Sequence, residues 1–70
     1  MDGNQWIEAF ARELGVEPPG AALVDELLAL AGEAAHASER IAAPITCYLV
    51  GLAGADLETA RRAAATVSAS

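Results

Sequence analysis

Seventy residues with a net charge of −6, four arginines and no lysine exclude an electrostatic nucleic-acid surface, because phosphate neutralisation needs clustered cations. Anionic membrane surfaces are disfavoured on the same ground. One cysteine, Cys47, and one histidine, His36, leave neither an internal disulfide nor a four-ligand zinc site.

A chain of this size makes one domain, residues 1–70, and buries only about 60% of its unfolded surface. Small domains without disulfides or metals lean on a partner, so a homo-oligomer or docking onto a larger protein is expected. Hydrophobic residues make up 54% of the chain and the mean hydropathy is +0.33, although alanine supplies much of that. Met1-Asp2-Gly3-Asn4 has neither a basic nor an apolar leader character, so a cytoplasmic location is the expectation.

In chain order, four helices are predicted. The first covers residues 4–14: Trp6, Phe10 and Leu14 recur every fourth residue beside Ile7, giving one apolar face. Asp2 or Asn4 can cap its start, and Gly15 suits a left-handed cap at its end. Pro18 then forces a break, since the residue before a proline is driven out of helical space. The second helix covers residues 21–38, with Leu23, Leu27, Leu30 and Ala34 in one stripe and Asp25, Glu26 and Glu33 outside. Gly32 in its interior costs about 1 kcal/mol relative to alanine, and close approach of a neighbouring helix would account for it.

The third helix is predicted over residues 44–54, with Pro44 in the first turn, where a missing N–H costs nothing. The run from Ile41 to Ala55 carries no charge and is shorter than the roughly 20 residues a bilayer span needs. It reads as a buried core helix, with Ile45, Leu49 and Leu52 on one side and Tyr48 at the edge. Gly51 and Gly54 share a face, and either permit tight contact or weaken and end the helix. The fourth helix covers residues 57–67, capped by Asp56, with Leu57, Ala60, Ala64 and Val67 facing inward. The fold class is therefore all-α: a compact four-helix domain.

The chemistry-bearing residues gather between the second and third helices. His36 and Arg40 are four residues apart, and Arg40 precedes Pro44 by a short loop. The first-turn amides at Ile45, Thr46 and Cys47 would lack intrahelical partners, and with Arg40 and the Thr46 hydroxyl they would receive an anion. The competing reading is that His36 and Arg40 satisfy carbonyls at the end of the second helix, where positive charge is favourable. Cys47 inside an apolar run acts as a small hydrophobe. The alternative, a thiolate at a helix N-terminus with His36 as base, lacks an assignable acidic orienting residue. No paired-carboxylate, metal-ligand or phosphate-loop pattern occurs, so no catalytic residue, metal or cofactor is assigned.

The frame W-I-x-x-F-x-x-E-L-G followed by A-x-x-x-A-H-x-x-x-R-x-x-A-P-x-T-x-Y-L-x-G-L-A-G resembles DUF6457, a family of short actinobacterial proteins of unknown function. Trp6, Leu14, Gly15, Ala35, His36, Arg40, Ala43, Pro44, Thr46, Leu49, Gly51 and Gly54 carry the match, which spans nearly the whole chain. The resemblance implies an all-helical fold. It also implies a link to molybdenum cofactor synthesis, since relatives occur alone and attached to proteins like the guanylyltransferase that forms the guanine dinucleotide of molybdopterin. It supplies no catalytic residue, and Cys47 stands where relatives are expected to carry threonine or another small residue.

The expected function is a non-enzymatic accessory or protein-interaction module. Its partners would be a second copy or a molybdenum cofactor guanylyltransferase-like protein, bound through His36, Arg40, Pro44 and Thr46. The alternative is a phosphate-bearing pterin or nucleotide held at the same junction.

Overall fold

A computed structural model describes all residues, 1–70, and contains four helices and no strand. They are α1 (Gly3–Leu14), α2 (Ala21–Ala37), α3 (Ala42–Ala53) and α4 (Leu57–Ser68). The all-α, four-helix architecture read from the sequence is the one that forms, and the boundaries agree within two residues.

Local chemistry explains the ends. Asp2 and Gln5 form a reciprocal capping box: Asp2 Oδ1 accepts the Gln5 N–H at 2.8 Å and Gln5 Oε1 accepts the Asp2 N–H at 2.9 Å. Gly15, at φ 75°, closes α1, with the Val16 N–H donating to the Ala11 carbonyl at 3.0 Å. Gly54, at φ 64°, closes α3 in the same way. Asp56 Oδ1 accepts the Thr59 N–H at 2.8 Å and starts α4. α2 begins at Gly20 without a side-chain cap and ends where the Ser38 hydroxyl donates back to the Ala34 carbonyl at 2.8 Å.

The helices pack around α2. Its extensive contacts are with α3 and α4, and α1 takes part in neither packing. Leu30, in the middle of α2, is the one side chain with no exposure at all; Ala11 and Ala60 are the other buried residues. On α4, Ala60 is buried and Leu57 and Ala64 are half-buried, as the inner stripe requires, whereas Val67 is exposed.

Two expectations are corrected. The third helix is not a buried core helix: none of its residues is buried. Ala42, Ala43, Thr46, Cys47 and Val50 share its half-buried face, while Ile41, Ile45, Tyr48, Leu49 and Leu52 point outward. The small residues let α3 lie close on α2, and the large ones are left on the far side. Nor does Gly32 or Gly51 admit a neighbouring helix, since a Cβ at either position would meet nothing within 4 Å. Gly54 acts as a helix end.

Candidate functional site

The junction of α2 and α3 is built from a short, tight turn. His36 lies in the last turn of α2 and is exposed. Ser38, at φ −143° and ψ −100°, turns the chain out of the helix, and Arg40 follows in an exposed turn. The turn winds directly into α3: the Ala42 N–H donates to the Glu39 carbonyl at 3.0 Å, and the Ala43 N–H to the Arg40 carbonyl at 3.2 Å. α3 therefore starts at Ala42 with Ile41 as its cap, two residues ahead of Pro44.

This earlier start changes the amide chemistry. The orphan positions of a helix are its cap and first three residues, here Ile41, Ala42, Ala43 and Pro44. Ala42 and Ala43 already donate to the turn, and Pro44 has no N–H. Ile45, Thr46 and Cys47 lie beyond the orphan set, so the fan of free amides expected there is displaced toward the turn and reduced. The alanine pair ahead of Pro44 has high helix propensity, and with the bonds of Ala42 and Ala43 to the turn it overrides the bias against helix at the residue before a proline.

Of the four junction residues singled out by sequence, the fold brings His36, Arg40 and Pro44 to the surface. Thr46 instead sits with Cys47 on the half-buried face of α3. Two shallow surface depressions lie elsewhere. One runs between α2 and α4 past Glu26, Glu33, Glu58, Arg61 and Arg62, and the other lies beside Glu8, Arg12 and Pro18. No three His, Cys, Asp or Glu side chains converge. No helix is long and apolar enough to cross a membrane.

What sequence reasoning missed is the outward stripe of Ile41, Ile45, Tyr48, Leu49 and Leu52, which starts directly after Arg40. The signal was present: small residues recur at helical spacing along α3 and mark the side that packs, leaving the large side for something else. α1 repeats the pattern. Trp6, Ile7, Phe10 and Leu14 are all exposed, and the Trp6 and Phe10 rings stack on one another with centroids 5.0 Å apart. Trp6 retains 55% of its surface.

Four short helices, two of them presenting apolar stripes to solvent, define a small all-α domain. The chain belongs to the DUF6457 family, a domain of unknown function, whose family model matches residues 1–70, the whole chain. No curated protein matches it, and no solved structure does.

Proposed function

We propose that this chain is a non-enzymatic protein-interaction module that engages its partner through the apolar outer faces of its helices. His36 and Arg40 form the polar edge of the contact, with Pro44 exposed beside them. The observation that carries this reading is the outward stripe of α3, five large side chains from Ile41 to Leu52 exposed on one face. Contiguous exposed apolar surface marks interaction sites on small domains. Exposed arginine and histidine beside it supply the polar rim and orientation that such contacts use.

The sequence resemblance supplies the partner to test first, a molybdenum cofactor guanylyltransferase-like protein from the same cell. In a pull-down with the tagged full chain, that protein should be retained at micromolar concentration. Leu49→Glu should abolish retention and Arg40→Glu should weaken it. If the guanylyltransferase-like protein fails to co-elute with the wild-type chain at those concentrations, the molybdenum cofactor link is lost.

A further inference from the structure

We infer that the occupant of these apolar faces is a second copy of this chain, with α1 of each copy laid along the outer stripe of α3 of the other. This rests on the interaction reading above and specifies its partner.

Area is the first argument. A folded chain of 7.1 kDa is expected to expose about 4,100 Å². This one exposes 5413 Å². The excess is on the order of 1,300 Å² per chain, more than the roughly 800 Å² per partner of an ordinary interface and in the class of obligate homodimers. The dimensions agree: the radius of gyration is 12.8 Å, against about 11 Å for a close-packed chain of this length.

Shape is the second. α1 and α3 have 12 residues each, so both run about 18 Å and one covers the other end to end. The α1 stripe is Trp6, Ile7, Phe10 and Leu14; Glu8 and Arg12 fall on the opposite side of the wheel, and Glu13 at the rim. α3 has no charged residue at all. Two copies that each carry −6 therefore meet along a seam free of like charges.

The connection supplies the third. Gly15–Gly20 contains Pro18-Pro19, a stiff, extended pair, and α1 has no extensive packing with another helix of its own chain. Exchange of an identical element between two copies closes under twofold symmetry, since each copy both gives α1 and receives one.

The test is sedimentation of the full chain from about 1 to 100 μM, with Trp6 emission read on the same samples. The expected result is a dimer of twice 7.1 kDa, with Trp6 emission moving to the red as dilution dissociates it. Phe10→Glu and Leu52→Glu, one on each face, should each weaken association about 30-fold or more. Val67→Glu, exposed on α4 and outside both faces, should leave it unchanged. Circular dichroism that stays helical in all three separates lost association from lost folding.

A chain that remains monomeric at 100 μM overturns the inference, whether Trp6 is wet or covered by its own chain. A dimer indifferent to both face substitutions overturns it equally. A monomer that still captures the guanylyltransferase-like protein would sink this inference alone and leave the interaction reading standing.

Discussion

Leu30 holds this molecule together to a degree unusual for one side chain. It has no exposed surface, sits at the centre of the helix that both α3 and α4 pack against, and has only Ala11 and Ala60 as buried company. Leu30→Ala should lower stability by about 2–5 kcal/mol, the range for emptying a buried leucine site, and urea denaturation followed by circular dichroism reads it. A domain this small has little stability to spare, so the variant should be largely unfolded at room temperature. Asp56 acts differently. The Thr59 backbone amide, and then its hydroxyl, hold the Asp56 carboxyl below its ordinary value. A depressed folded-state pKa gives stability that is present above the unfolded carboxylate value, near about 3.9, and is lost as pH falls through the folded value. The urea midpoint should therefore drop below about pH 4. Asp56→Asn should keep the cap yet flatten that acid limb; an equally steep limb in the variant would assign it to other carboxylates.

Glycines give the sharpest contrast between positions within a helix. Gly32→Ala should stabilise α2 by about 0.5–1 kcal/mol, because the position is helical and the added methyl meets nothing within 4 Å. Gly54→Ala should destabilise by about 1 kcal/mol, because its φ of 64° is left-handed. Thermal melts of the two variants should move in opposite directions. Helix existence and order were legible because each end carries its own local signal: Asp2, Gly15, Pro18, Gly54 and Asp56 act through bonds within a few residues. The direction each helix faces was less legible. α3 reads as core because it lacks charge, and lack of charge cannot distinguish a face packed inside one chain from a face kept for contact with another. The start of α3 lies two residues ahead of Pro44 for a related reason. Pro44 is compatible with the whole first turn, and the bonds from Ala42 and Ala43 back to Glu39 and Arg40 decide which residue of it proline occupies. His36 and Arg40 are exposed, whereas Thr46 lies on the packed side, as its helical phase with Val50 requires.

At the scale of the molecule, α3 carries no charged residue, and all ten acidic residues lie elsewhere along the chain. In the inferred dimer this uncharged helix is where two acidic chains meet. Stability linked to association depends on concentration, so the melting temperature should rise between about 1 and 100 μM chain. An unchanged temperature would mean that the folded unit is the single chain. The sparse packing of α1, which buries Ala11 alone among its residues, has a measurable corollary. Twelve residues are at the lower limit for a helix that must persist by itself in water. Its backbone protons should therefore trade rapidly with heavy water in a dilute sample, while those around Leu30 do so only on global opening. In a concentrated one, the N–H groups from Phe10 to Leu14 should slow markedly. The first helix thus serves as a built-in gauge of whether anything lies against it.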